Sequence, residues 1–396
     1  MRYRLISVWF LNITISLVTI TLAAFGSEAY LKSRTFNGYC VWPQSLKYTF
    51  EPDPEIMLGI TGESNFTTNK RGIRGRESSW RDKFRILTVG GSTTECLYLD
   101  DTETWPALLE TTLNAGLKKR VWVGNVGKSG YNTRNHVLEV RSLLPQMPDL
   151  DALILMVGIN DMSLRLSRDV GWLYTPLDSW LYKGIEKMTF DVFPAPEPPI
   201  YRFPETRRRI DILKQRWRDE APPETQKEMG EDKTGSVFQV WRQNRQTSPN
   251  RRNRVPDLRE ALTEYRENLT EIVDVAQRHG VRLVFVTQPT IWRADLPQEV
   301  RSRLWLGGVG YFQEMPGLPY YTVEVLAEVV SKYNGALKDL AEERGVECMD
   351  LAAVVPKDTT VFYDDCHFNE GGARIVATAL AEYLMGQKPL DKHIRN

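Results

Sequence analysis

Four short stretches of this 396-residue chain carry side chains that could act together on a carbonyl group. They are Gly90-Gly91-Ser92, Asn125-Val126-Gly127-Lys128-Ser129-Gly130, Gly158-Ile159-Asn160-Asp161 and Asp364-Asp365-Cys366-His367. A serine hydroxyl is a poor nucleophile until a base takes its proton, so Ser92 needs a histidine within hydrogen-bond reach. The histidine needs an acceptor on its other nitrogen, which fixes its tautomer and stabilises the imidazolium. Asp364 and His367 can meet on one turn and form such a pair. Asp365, one residue nearer to His367, competes for the same role. Attack on a carbonyl creates an oxyanion, for which the backbone N–H groups of Ser92 and Gly130 and the side-chain amide of Asn160 are candidate donors. Taken singly each stretch is ordinary: serine after glycine is common turn chemistry, and Gly130 could simply relieve a turn with positive φ. The chain has four histidines. Of these, His279 stands before Gly280 at a predicted helix end, where a cation is favourable in any case, and His393 lies in the C-terminal tail.

The elements that must position these residues read as alternating strands and helices. Strands are predicted over 85–89, 121–126, 153–157, 282–287 and 346–349. Helices are predicted over 104–117, 133–144, 257–278, 322–343 and 373–385. The strand over 153–157 is wholly apolar and reads as buried on both faces. Such alternation implies right-handed crossovers and a parallel sheet. Ligands bind outside the carboxyl ends of the strands in an open sheet of this kind, and each chemical stretch follows a strand or precedes a helix.

In that order the four stretches resemble the four sequence blocks of the SGNH (GDSL-type) hydrolase superfamily. The resemblance covers about 84–165 and 255–386. It implies a three-layer α/β/α, flavodoxin-like fold with a five-stranded parallel sheet, and an esterase chemistry without metal or organic cofactor. It assigns Ser92 as nucleophile, Asp364 and His367 as the other triad members, and Ser92, Gly130 and Asn160 as the oxyanion hole. The first block departs from the family pattern, reading Gly-Gly-Ser-Thr in place of Gly-Asp-Ser-Leu. An ordinary α/β-hydrolase would place its serine in Gly-x-Ser-x-Gly, whereas position 94 is Thr.

Composition narrows the rest. The chain is 42% hydrophobic, enough for one large core with an insertion. Lys+Arg and Asp+Glu are both 51, which removes the electrostatic case for nucleic-acid binding. The arginine runs at 207–209 and 251–254 read as solvated faces of an insertion. Cys40, Cys96, Cys348 and Cys366 fit no metal-ligand spacing. Cys96 and Cys366 could form a disulfide outside the cytosol if their segments meet, or stay as buried thiols. Residues 1–4 carry two arginines, and the apolar run over 5–25 is long enough to cross a bilayer. An uncleaved membrane anchor is expected over 1–32, with the N-terminus cytoplasmic and the remainder extracytoplasmic. A cleaved signal peptide ending near Ser27-Glu28-Ala29, which would leave a secreted protein, is the rival. An extended lead-in (33–83, with a turn over 69–75) and a hydrolase domain (84–390) complete the division. The Pro-rich and charge-rich insertion at about 165–254 has no counterpart in the family core.

The expected function is a serine hydrolase acting on a small-molecule, lipid or glycan ester through an acyl-serine intermediate. An O-acyltransferase acting on an envelope polysaccharide with the same triad is one alternative. A non-catalytic glycan-binding or scaffold domain is the other.

Overall fold

The computed structural model describes residues 38–118, 120–168 and 232–386, with single positions at 16, 19, 23 and 177. In chain order the elements begin with β1 (Lys47–Phe50), β2 (Ser64–Thr67), β3 (Phe84–Gly90), α1 (Ser92–Glu95) and α2 (Trp105–Gly116). Next come β4 (Val121–Asn125), α3 (Thr133–Leu143), β5 (Ala152–Met156), α4 (Ile159–Ser167) and α5 (Val237–Gln246). They continue with β6 (Arg251–Arg252), α6 (Arg259–Arg278), β7 (Arg282–Val286), α7 (Gln298–Arg301) and β8 (Tyr320–Tyr321). The last are α8 (Val323–Glu343), β9 (Glu347–Met349), α9 (Leu351–Val354) and α10 (Glu370–Gly386).

Five strands form one parallel sheet in the order β4-β3-β5-β7-β9. Every residue of β4 and β5 is buried, as a strand covered by helices on both faces requires. The first crossover runs from β3 outward to β4, and the later ones run the other way. Right-handed connections therefore put α2 on one face and α3, α6 and α8 on the opposite face. The packing agrees: α2 rests against α10, while α6 rests against α3 and α8. The reversal falls beside β3, so the carboxyl ends of β4, β3 and β5 form the crevice in which a ligand would sit.

The lead-in is ordered by one buried cation. Arg74, 2% exposed, donates to the carbonyls of Glu95 (2.6 Å), Cys96 (2.9 Å) and Leu99 (2.5 Å) and to Asp101 Oδ1 (2.7 Å). Its own N–H and C=O pair with Asn125 at the free edge of β4. The β1–β2 hairpin packs beside it, with Phe66 under the Arg74 guanidinium at 4.3 Å. The lead-in thus closes a sheet edge and grips the turn that follows β3.

One expectation requires correction. The segment over 5–25 lies outside the described residues apart from positions 16, 19 and 23. Among the described residues no helix is long and apolar enough to cross a membrane. Helices α6 and α8 have the length, 20 and 21 residues, but each carries acidic and basic side chains along an outer face. The expected single-pass membrane localisation, with its membrane partner, therefore has no spanning helix among the described residues. Of the insertion, residues 169–176 and 178–231 lie outside the described residues, and its end, 232–254, contains α5 and β6.

Candidate functional site

Strand β3 delivers Ser92 to the crevice. The strand stops at Gly90, and α1 begins at once: the N–H groups of Thr94 and Glu95 bond back to the Gly91 carbonyl at 3.0 Å. Cys96, left-handed at φ 54°, ends this single turn. A glycine is needed at 91 although its φ of −80° is ordinary. A Cβ there would lie 2.4 Å from Asn160 Nδ2. The bare backbone is what lets the Asn160 amide, at the start of α4 after β5, reach the serine turn.

Ser92 Oγ lies 2.7 Å from His367 Nε2, across 275 residues of chain. His367 Nδ1 lies 2.7 Å from Asp364 Oδ2. Asp364 Oδ1 accepts the backbone N–H groups of Cys366 (3.0 Å) and His367 (2.8 Å), so the Asp364-to-His367 turn is built around this carboxylate. Burial pushes the Asp364 carboxyl up, but the His367 charge and hydrogen bond, then the Trp305 indole and the Cys366 N–H, outweigh it. The net pKa lies below the ordinary value. Burial, the largest single influence, opposes an imidazolium at His367, but the charges of Asp364 and Cys366 and the hydrogen bonds to both together outweigh it, and its pKa stands well above the usual histidine range.

Asp365 does not orient the histidine. Its Oδ2 accepts the N–H groups of Trp305 (2.7 Å) and Leu306 (3.1 Å), and its Oδ1 accepts the Trp292 indole (2.8 Å). Burial first, then the neighbouring Asp364 charge, pushes its carboxyl up. Its role is to hold the 305–306 backbone.

The two remaining expected donors sit on linked loops. Asn160 Nδ2 donates to the Tyr131 carbonyl at 2.7 Å. Gly130, at φ 78° and exposed, occupies the turn closed by Tyr131 N–H to the Lys128 carbonyl at 3.2 Å. The same turn is tied to α1 because Ser129 Oγ donates to the buried Glu95 carboxylate. Burial drives the Glu95 pKa up to about 7, against the Ser129 hydrogen bond and the charges of Arg74 and Lys128.

Cys96 and Cys366 are free thiols, so of the two expectations for this pair the disulfide is not formed. Both are buried: Cys96 Sγ points to the Thr93 carbonyl at 3.5 Å, and Cys366 Sγ lies 3.9 Å from His367 Nδ1. Burial pushes their pKa values up to about 12 and about 11, which keeps them as unreactive thiols. Asp364, Cys366 and His367 could present three ligand atoms within 4.8 Å of one another. A cation there would have to displace the His367 and Trp305 donors that already share Asp364 Oδ2.

An aromatic enclosure surrounds the imidazole, and sequence reasoning did not find it. The Tyr363 and Trp305 rings lie nearly parallel to the His367 ring, at 12° and 5°, with centroids 5.6 and 6.3 Å away. Phe238 of α5 meets it edge-on at 6.2 Å. Helix α5 is anchored by Arg242, which donates to the carbonyls of Ile56, Arg303 and Tyr363, and by Arg245, which donates to those of Leu306 and Tyr321. The one advance signal was the abundance of tryptophan, which does not say which ring goes where.

No protein-family model and no curated protein sequence matches the chain. Among solved structures, the chain is similar to a member of the lipolytic protein G-D-S-L family from Veillonella parvula DSM 2008. The identity is 13%, 76% of this chain and 99% of that chain are covered, and the TM-score is 0.39. It is also similar to an acetylxylan esterase from Geobacillus stearothermophilus, at 14% identity, 76% and 93% coverage and TM-score 0.37. A third similar structure is the native aryl esterase of M. smegmatis, at 13% identity, 76% and 97% coverage and TM-score 0.38.

Proposed function

We propose that this protein is a serine hydrolase that cleaves carboxylic esters through an acyl-Ser92 intermediate. The observation that carries the reading is the unbroken hydrogen-bonded chain from Ser92 Oγ through His367 to Asp364, each contact 2.7 Å. In the first half-reaction His367 Nε2 takes the Ser92 proton as Oγ attacks the ester carbonyl, then returns it to the departing alcohol oxygen. In the second, the same nitrogen takes a proton from water, hydroxide adds to the acyl carbon, and Ser92 leaves with the proton restored. Asp364 stays ionised throughout and stabilises the imidazolium formed in both halves. The Asn160 amide and the N–H groups of Ser92 and Gly130 serve as the oxyanion donors, each worth about 3 kcal/mol of transition-state stabilisation.

The neutral imidazole is the base, and the Asp364 carboxylate raises the pKa of His367. Activity therefore rises with pH through a midpoint above the ordinary histidine range. The test is covalent labelling of the purified protein by a fluorophosphonate together with hydrolysis of p-nitrophenyl acetate. Wild type should label and turn over, and Ser92→Ala should do neither. A folded wild-type protein that does not label, or a Ser92→Ala protein that keeps full activity, would overturn the assignment.

A further inference from the structure

Trp305 lies in the loop before β8, and its indole makes a contact that ring packing does not require. Nε1–H donates to Asp364 Oδ2 at 2.9 Å, the same oxygen that faces His367 Nδ1 at 2.7 Å. With two backbone N–H groups on Oδ1, all four lone-pair sites of the buried carboxylate are engaged. The indole is not free to drift. Its backbone N–H is held by Asp365, and its ring lies against Trp241 at 4.6 Å and almost parallel to the imidazole. Asp365, the acid that sequence reasoning weighed as a rival orienter, instead holds the Trp305 backbone.

We propose that Trp305 is a positioning residue for the Ser92–His367–Asp364 chain, its indole N–H fixing the carboxylate and sharing the oxygen that receives the imidazole proton. The inference rests on the serine-hydrolase reading above. Removing the indole donor leaves one lone pair of Oδ2 bare in a water-poor setting. The carboxylate becomes the stronger acceptor and holds the His367 proton more tightly, which favours the imidazolium over the neutral base. It also gains freedom to rotate, which spoils the alignment of the imidazole with Ser92.

The test is Trp305→Phe, which keeps an aromatic ring beside His367 while deleting the donor and part of the ring. Hydrolysis of p-nitrophenyl acetate should show kcat lowered about tenfold and KM altered less than about twofold, because alignment and not substrate contact is lost. The acid limb of kcat/KM should move up by about half a pH unit. Trp292→Phe is the control: it makes the same change at another buried indole donor, one serving Asp365, and its acid limb should stay in place. A Trp305→Phe enzyme with wild-type kcat and an unmoved limb overturns the inference while the hydrolase reading stands. A limb moved equally in both variants also overturns it. Wild type without hydrolysis or labelling overturns both. Should Trp305→Phe not fold, NMR of wild type decides. One indole N–H resonance should titrate with the midpoint of the acid limb, and indoles that all stay static would refute the proposal.

Discussion

Gly91→Ala isolates a single steric effect. The φ of −80° at this position suits alanine, so the substitution adds no backbone strain. All the damage falls on Asn160, whose Nδ2 would lie 2.4 Å from the new methyl. Ordinary contact begins at about 3.4 Å, so the amide must retreat by roughly 1 Å, enough to break its alignment with a developing oxyanion. A displacement of this size costs on the order of 100-fold in rate, and complete loss of the donor sets the ceiling at about 10²–10³-fold. The Asn160 bond to the Tyr131 carbonyl is exposed to the same push and contributes about 1 kcal/mol to stability. Steady-state hydrolysis of p-nitrophenyl acetate by wild type, Gly91→Ala, Asn160→Ala and the double variant gives a full cycle. Expected are kcat losses near 100-fold in each single variant, little change in KM, and a double variant scarcely worse than Asn160→Ala, because both changes remove one interaction. A Gly91→Ala enzyme within threefold of wild type, or losses that multiply in the double variant, would refute the argument.

Asp364→Asn should lower kcat by about 10⁴-fold at neutral pH, because an amide orients the wrong imidazole tautomer. A loss under about tenfold would show that another group serves His367. The same carboxylate, with its folded pKa depressed, contributes stability that is present above the unfolded value of 3.8 and lost as pH falls through the lower folded pKa. Melting curves from pH 7 to pH 2 should therefore show an acid-induced loss in wild type that is smaller in Asp364→Asn, and equal losses would contradict this. Glu95 has the opposite sign. Its folded pKa of about 7 lies above the ordinary value of 4.5, so its ionisation lowers stability as pH rises from about 4.5 to about 7, above which the loss is complete. Glu95→Gln, which can still accept the Ser129 hydroxyl, should melt higher relative to wild type at pH 8 than at pH 5. A melting difference independent of pH would show that Glu95 does not titrate in this range.

The α/β architecture and the five parallel strands were legible because both are written in local pattern. Continuous apolar runs such as 152–156 mark strands covered on both faces, and amphipathic stretches such as 259–278 mark the helices that cover them. The residue types of the candidate site were legible for the same reason: a glycine pair before serine, an asparagine after a strand and an aspartate three residues before a histidine are short-range features. The membrane expectation went further than a hydropathy run can support, since the described residues hold no apolar spanning helix. The hairpin 47–67 and helix α5 escaped notice because their stability comes from distant partners. Arg74 bonds to the carbonyls of Asn65, Glu95, Cys96 and Leu99, and Arg242 bonds to carbonyls at 56, 303 and 363.

Residue type left Asp364 and Asp365, two identical side chains at adjacent positions, as competitors, and only the family resemblance favoured Asp364 before the structure showed what each one faces. One faces the imidazole because the 364–367 turn folds around it, and the other faces the 305–306 backbone and the Trp292 indole. Tertiary structure alone decided that Cys96 and Cys366 stay thiols and that an indole from a distant loop completes the carboxylate's hydrogen bonds. A sequence specifies which groups are available and the period at which they recur. Which of them meet is set by how buried polar groups across the whole molecule find partners at once, and that condition has no local signature.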